Sequence, residues 1–342
     1  MSIVECVPNF SEGRDKTVIA AIAAAIAGVP GACLLDVDPG ADTNRTVYTF
    51  VGSPAAVADA VLAAARAAYE LIDMTKHRGA HPRMGALDVC PFVPVSGIGM
   101  EGCVALSKEV AERLAAELCV PVYLYEASAT RPERRSLADI RSGEYEGLKT
   151  RLRRIEWAPD YGEASFVPRW GATVVGARGF LIAYNVNLNT HDKKLAHEVA
   201  LNIRETGRMT KDVAGNSVKK PGRLKAVRAI GWYIDSYSCA QVSINLLDYK
   251  TTPLHIVFET VKEEAEKLGL LVTGSEIVGL VPLEPIVAAG RYFSEKTGRG
   301  EGLGEAELVE TAIRSMGLAS VASFEPEKKI IEYAGKGIGL NW

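Results

Sequence analysis

Gln241-Val242-Ser243-Ile244-Asn245-Leu246-Leu247 sets apolar side chains at alternate positions, with polar ones between them. A period of two puts Val242, Ile244 and Leu246 on one face of a strand and Gln241, Ser243 and Asn245 on the other, so this strand belongs to a sheet with one buried face. Before it, Leu224 to Ile234 reads as a neighbouring strand. After it, Thr252 is expected to cap a helix opened by Pro253, with Leu254, Val257, Val261, Ala265 and Leu268 on one face and Gly269 at its end. Leu271 to Val281 follows as a strand. Upstream, Phe180 to Val186 suits a strand and about Asp192 to Glu205 a helix. The order is βαββαβ.

The start of the chain repeats it. Ile3 to Val7 reads as a strand, and a helix follows with Val18, Ile22 and Ile26 in one stripe. Cys33 to Val37 and Thr46 to Val51 are two strands; Ser53 caps a helix with Pro54 at its first position and Val57, Val61 and Ala65 on its inner face; Leu87 to Val93 closes the block. Two such blocks predict an α/β (α+β) chain of two ferredoxin-like βαββαβ subdomains, 1–179 and 180–342, with a ligand groove between them. An amphipathic helix (Leu106, Val110, Leu114, Leu118), a strand at Val120 to Tyr125 and an Arg-rich stretch to Trp157 are expected to extend the first subdomain. The tail after Arg291, with Gly298, Gly300, Gly302 and Gly304 and a helix around Leu308 to Met316, is expected to be peripheral.

Composition bounds the function. A net charge of -3 gives no global field to attract nucleic acid. The N-terminus carries Glu5 and no basic region ahead of an apolar run, unlike a signal peptide, and the Ala-rich stretch from Val18 to Val29 is too short to span a bilayer. Six cysteines without a C-x-x-C pair fit reduced thiols. A cytoplasmic protein without membrane or nucleic-acid partners is expected.

Four constellations carry possible chemistry. Gly97, Gly99 and Gly102 spell G-x-G-x-x-G with Glu126 beyond, the order of a dinucleotide site, but Pro91 and Pro94 are expected to break the preceding strand. Lys76-His77-Arg78-Gly79-Ala80-His81-Pro82-Arg83-Met84-Gly85 holds two of the five histidines; Gly79 and Pro82 interrupt any helix and no third ligand is spaced for a metal, so no metal is expected. Asp36 to Arg45 brings Asp36, Asp38 and Asp42 towards a turn between two strands, which is equally what turn chemistry requires. Gly162-Glu163-Ala164-Ser165-Phe166-Val167-Pro168-Arg169-Trp170-Gly171 suits either a flat ring or the cover of a core edge. Lys219, Lys220, Arg223, Lys225 and Arg228 form a solvated face or attract a polyanionic ligand tail.

Several of these blocks, in order, resemble the glutamate formiminotransferases: Val7-Pro8-Asn9-Phe10-Ser11-Glu12-Gly13, Thr43-Asn44-Arg45-Thr46-Val47-Tyr48-Thr49-Phe50, His81-Pro82-Arg83-Met84-Gly85-Ala86-Leu87-Asp88-Val89, Trp170-Gly171-Ala172, Pro221-Gly222-Arg223-Leu224 and Val278-Gly279-Leu280-Val281-Pro282. The resemblance covers roughly residues 2 to 335. It implies a homodimer acting on N-formiminoglutamate and tetrahydrofolate, with His81 as the catalytic histidine and Gly162 to Gly171 as a folate-binding segment. In bifunctional relatives a cyclodeaminase domain follows; here that reaction is expected of a separate protein. A histidine near its ordinary pKa of about 6.5 suits removal of a proton from N5 and its delivery to the departing glutamate nitrogen. Asp38 is assigned to stabilise the protonated amidine. Two alternatives stay open: formyl transfer between 5-formyltetrahydrofolate and glutamate, and folate binding without catalysis.

Overall fold

The computed structural model describes residues 2–213, 215–298 and 302–337. The chain folds as two compact units, Met1–Gly179 and Phe180–Asn341.

In the first unit the chain forms β1 (Ile3–Cys6), β2 (Asn9–Phe10), α1 (Lys16–Ala27), β3 (Ala32–Gly40), β4 (Arg45–Gly52), α2 (Pro54–Leu71) and β5 (Leu87–Ser96). β2 continues β1 beyond Val7-Pro8, and both pair antiparallel with β4 and β5, while β3 pairs with β4. This is the βαββαβ arrangement, with the first strand central. The helix starts are set by their caps: the Asp15 carboxylate accepts from Thr17 and Val18, and Ser53 Oγ accepts from Ala56 ahead of Pro54. Val18, Ile22, Ile26, Val57, Val61 and Ala65 then meet Val4, Phe10, Tyr48 and Phe50 in one core.

The sheet does not stop at β5. α3 (Met100–Leu118) leads to β6 (Val122–Glu126), then α4 (Leu137–Ile140) and α5 (Glu144–Arg151) precede β7 (Thr173–Ala177), which inserts between β5 and β6 and is parallel to both. The prolines expected to end the preceding strand lie inside β5. The ladder with β7 covers Val89 to Phe92, so Pro94 stands beyond it and its missing N–H is not needed there. The opposite face of this parallel half has its own core, in which Met84, Val89, Tyr123 and Val174 meet Ile140, Leu148 and Leu152.

In the second unit the chain forms β8 (Ile182–Leu188), α6 (Lys193–Ile203), the hairpin β9 (Arg208–Lys211) and β10 (Ser217–Lys220), β11 (Val227–Ile234), β12 (Cys239–Leu246), α7 (Leu254–Glu266) and β13 (Val272–Val278). The four-stranded sheet runs β11-β12-β8-β13, antiparallel throughout, again with the first strand central. Val242, Ile244 and Leu246 do face the helices. Thr252 is not the cap of α7: its hydroxyl donates to the Lys225 carbonyl, and Pro253 holds the cap position. α8 (Leu283–Lys296), which the sequence pattern did not reveal, packs on α9 (Glu305–Met316) so closely that a Cβ on Gly290 would lie 2.0 Å from the Leu308 carbonyl oxygen. The tail helix is therefore not peripheral. Val309, Ala312, Ile313 and Met316 are core residues, and burying an aliphatic side chain of this size is worth about 1.5–3 kcal/mol. α10 (Pro326–Lys329) and α11 (Ile331–Gly337) follow, and Ile330 joins Val281 in that core. Among the described residues no helix is long and apolar enough to cross a membrane.

Candidate functional site

The turn between β3 and β4 is built around Asn44, whose φ of 48° lies in the left-handed region that Asn tolerates. Its side-chain amide donates to the Arg78 carbonyl at 2.9 Å, and its side-chain oxygen accepts from Gly13 N–H at 3.0 Å. Ala80 N–H donates to the Asp42 carbonyl at 3.1 Å. Gly79 presses so near this turn that an added Cβ would stand 2.1 Å from Thr43 O. On its other side the histidine-bearing segment is zipped to the 162–171 loop: Ala86 N–H donates to Trp170 O at 2.8 Å and Ala172 N–H to Met84 O at 3.1 Å. Gly171 has a φ of +84°, and a Cβ there would meet Met84 O at 2.1 Å. Three motifs distant in sequence thus converge on one corner of the first unit.

His81 is half-buried at this corner. Its Nδ1 lies 2.7 Å from the Pro82 carbonyl oxygen, a contact that puts the proton on Nδ1 and leaves the lone pair on Nε2. Arg45 Nη1 donates to Nε2. Burial first, then the charges of Arg45 and Arg141, hold the imidazole well below its ordinary pKa. Where the sequence predicts an unshifted histidine, the fold makes it a neutral imidazole with low proton affinity.

Two guanidinium groups stand here, and one of them has a carboxylate partner. Arg141, just past α4, bonds to Asp88, whose other oxygen accepts Met84 N–H at 2.8 Å. Arg45 meets the His81 ring instead, and its Nε is buried without a partner. Burial, then repulsion by Arg141, brings its pKa down to about 9, so Arg45 is still a cation at neutral pH.

His77 serves differently. Its Nε2 donates to Asn44 O at 2.8 Å, and its Nδ1 accepts from Arg83 Nε at 3.2 Å. Arg83 is itself held by Glu146 at 2.7 Å and Glu144 at 3.1 Å. With both ring nitrogens engaged and the side chain buried, His77 is a strut.

Asp38 is not in the turn. β3 continues to Gly40, so Asp38 is a strand residue opposite Val47, two positions from the Gly40–Arg45 pair. Cross-strand partners point to one face, which puts Asp38 and Arg45 on the same face as diagonal neighbours. In the 162–171 loop, Gly162, Glu163, Ala164, Ser165, Pro168 and Arg169 are exposed and Phe166 and Val167 half-buried. Trp170 is fully enclosed, its indole N–H donating to Thr173 Oγ1 at 2.9 Å and its ring against Tyr69, so it belongs to the core and offers no face to a ligand. A cavity of about 360 Å³ lies between Ala164, Ser165, Phe166 and Pro168 on one side and Lys149, Leu152 and Arg153 on the other.

Residues 3–178 match the family described as "Formiminotransferase domain, N-terminal subdomain", and residues 183–336 match "Formiminotransferase domain". The chain belongs to the formiminotransferase domain family. A mouse protein named formimidoyltransferase-cyclodeaminase is 54% identical over 97% of this chain, which spans 59% of that relative's length. Proteins named glutamate formimidoyltransferase from Streptococcus pyogenes serotype M1 and Thermoplasma acidophilum are 44% and 43% identical, over 93% and 95% of their own lengths and 85% and 88% of this one.

In this formiminotransferase-family chain the sequence motifs contained Arg45 and Asp88 without revealing their partners, the His81 ring and Arg141. Arg141 was one arginine among many. The basic cluster of the second unit fares worse: Arg223 is held between Glu263 at 2.6 Å and Glu264 at 2.7 Å, and Lys225 stands 3.7 Å from Glu205. Lys219 and Lys220 are exposed on β10. Among the described residues no group of three or more His, Cys, Asp and Glu side chains is placed to hold a metal ion.

Proposed function

We propose that this chain transfers the formimino group of N-formimino-L-glutamate to N5 of tetrahydrofolate, giving 5-formiminotetrahydrofolate and glutamate. The observation that carries the reading is the His81 imidazole, neutral, fixed as the Nδ1–H tautomer, and set where the β3–β4 turn and the 162–171 loop meet. N5 attacks the formimino carbon, the bond from that carbon to the glutamate nitrogen breaks, and the N5 proton passes through His81 Nε2 to the leaving nitrogen. A low proton affinity makes the transient imidazolium a strong acid, which suits the second half-step. Asp38 is assigned to the amidinium charge, and the exposed part of Gly162 to Gly171, with Lys149 and Arg153 across the cavity, to folate. Tetrahydrofolate is a co-substrate in this scheme, and His81 needs no metal to move the proton. A cytoplasmic homodimer working in histidine degradation, its product passed to a cyclodeaminase, completes the proposal; the free cysteines agree with a reducing compartment.

Formyl transfer between 5-formyltetrahydrofolate and glutamate is the second reading, and one observation favours it: a site with two guanidiniums and one carboxylate suits an oxyanion better than an amidinium. The deciding experiment supplies purified protein with N-formimino-L-glutamate and tetrahydrofolate, and separately with 5-formyltetrahydrofolate and glutamate. Faster formimino transfer is expected. Formyl transfer alone would reverse the assignment, and folate binding without either reaction would leave a binding protein.

A further inference from the structure

Three enclosed arginines of the first unit have carboxylate partners, Arg83 with Glu144 and Glu146, Arg134 with Asp160, and Arg141 with Asp88, while Arg151 donates to the carbonyl oxygens of Ile140 and Ser142 and lies over the Trp157 ring. The Arg45 guanidinium, by contrast, has neither a carboxylate nor a carbonyl partner among the described residues. Its nitrogen meets a neutral ring, its Nε has no partner, and Asp88, the carboxylate whose charge acts on it, is already committed to Arg141 and Met84 N–H. A buried cation of this kind is a vacancy for an anion, and a guanidinium fork matches a carboxylate best.

We propose that Arg45, backed by Arg141, receives a carboxylate of the amino-acid substrate, and that this carboxylate draws the guanidinium off His81 so that Nε2 is uncovered only when that substrate is bound. The inference rests on the reading above and names the group that holds the amino-acid donor. Two consequences follow from the same movement. The carboxylate is a far stronger acceptor than a neutral imidazole, so Nε2 loses its capping hydrogen bond. It also neutralises the nearest positive charge, leaving Arg141, paired with Asp88, as the other charged group acting on the ring, so that His81 regains proton affinity. Without substrate, the base is both covered and weakened. Arg45 is thus a positioning residue for His81 as well as a binding residue.

The test follows the ring itself. Histidine-labelled protein is titrated by NMR with and without saturating L-glutamate, for the wild-type chain and for Arg45→Gln and Arg45→Lys, with calorimetry for glutamate and for 5-formyltetrahydrofolate. In the wild type, glutamate should move the His81 titration upward by about one pH unit or more. In Arg45→Gln the ring should titrate higher from the outset and ignore glutamate, whose affinity should fall about 10- to 100-fold, while the folate affinity stays within about twofold. Arg45→Lys keeps the charge without the fork and should recover part of the affinity, which separates loss of binding from loss of fold. Unchanged glutamate affinity in Arg45→Gln, or a wild-type ring indifferent to glutamate, would overturn the proposal. A wild-type chain that transfers formimino groups normally while showing either result loses this inference alone. One that binds glutamate at Arg45 but transfers nothing loses the reading of the reaction and keeps the site.

Discussion

Both units are built on the same βαββαβ frame with the first strand central, yet they treat polar groups in opposite ways. On the sheet face of the second unit away from the helices, Gln241 donates to Asn187 at 2.6 Å and to Glu276 at 3.0 Å, Asn185 donates to Glu276 at 3.0 Å, and Trp232 and Tyr237 close the network. Elsewhere in this unit Arg223 has carboxylate partners in Glu263 and Glu264. At the corner of the first unit, by contrast, Arg45 leans on a neutral imidazole and His81 is held short of its ordinary proton affinity. A satisfied network stabilises and specifies; an unsatisfied one stores a demand that a ligand can meet. The fold is shared, and the proposed chemistry is placed in the unit where a cation lacks its counter-charge.

The largest effect that would break this comparison is at His81. Replacing it by Ala should lower turnover by about 10² to 10⁴ with little change in folate affinity. The same change at His197 of the second unit, whose Nδ1 accepts only from Gly231 N–H at 3.3 Å, should leave turnover within about twofold. His77→Ala should act on stability instead, by about 1–3 kcal/mol, because Arg83 Nε and the Asn44 carbonyl lose their partner. Steady-state rates with urea melts on the three variants separate base, bystander and strut. Loss of turnover in His77→Ala without loss of stability would move the base to His77.

Trp170→Ala comes next. The indole is enclosed between Tyr69 and the core of the first unit, so its removal should cost about 3–5 kcal/mol of stability. Trp170→Phe, which keeps the packing, should leave folate affinity nearly unchanged. A folate affinity that falls in Trp170→Phe at unchanged stability would return the ring to the ligand.

How much of this was written in the sequence depends on how local the cause is. Alternation at Val242 to Leu246, the Ser53-Pro54 helix start and the stripe of Val18, Ile22 and Ile26 are local, and each appears as read. Pro91 and Pro94 misled because a proline's cost depends on whether a neighbour needs its N–H, and β7 comes from more than seventy residues further on. The tail helix misled because its partner α8 was unseen, and an apolar stripe without a visible partner looks peripheral. His81 is singled out by its motif. Its environment is not, since Arg45, Arg141 and Asp88 come from β4, the residue after α4 and β5, and only the fold brings them together.

A smaller effect is expected from pH. His81, His77 and, in the second unit, His255 all have pKa values lowered mainly by burial. For such a group the unfolded chain takes up a proton near pH 6.5 while the folded chain does not. Stability therefore holds above about pH 6.5 and declines as pH falls below it, with a slope of at most about 1.4 kcal/mol per pH unit for each histidine. The acid limb of kcat/KM, which needs neutral His81, should likewise lie below the ordinary histidine value. Thermal melts between pH 7.5 and pH 5.5, flanked by rate profiles over that range, check both, using about one pH unit on either side of the reference pKa. A melting temperature flat across that window would mean that these rings protonate as freely in the folded chain as in the unfolded one.

The smallest effect should come from Arg223. Its two carboxylates differ: Glu263 is half-exposed, whereas the Glu264 side chain is nearly covered and also accepts from Lys267 at 2.6 Å. Removing Arg223 leaves Glu264 with Lys267, so no buried charge is stranded. Arg223→Gln should cost no more than about 1 kcal/mol, less at high salt, because the guanidinium is itself exposed and Glu264 keeps Lys267. It should also leave untouched any preference for polyglutamylated over monoglutamyl folate, since a guanidinium already held by two carboxylates has little charge left to offer a third. Melts in low and high salt, with dissociation constants for folates carrying one and several glutamates, measure both expectations. A polyglutamate preference that disappears in Arg223→Gln at low salt would show that this arginine leaves its pairs for a ligand, as Arg45 is proposed to leave His81, and the contrast between the two units would then narrow to His81 alone.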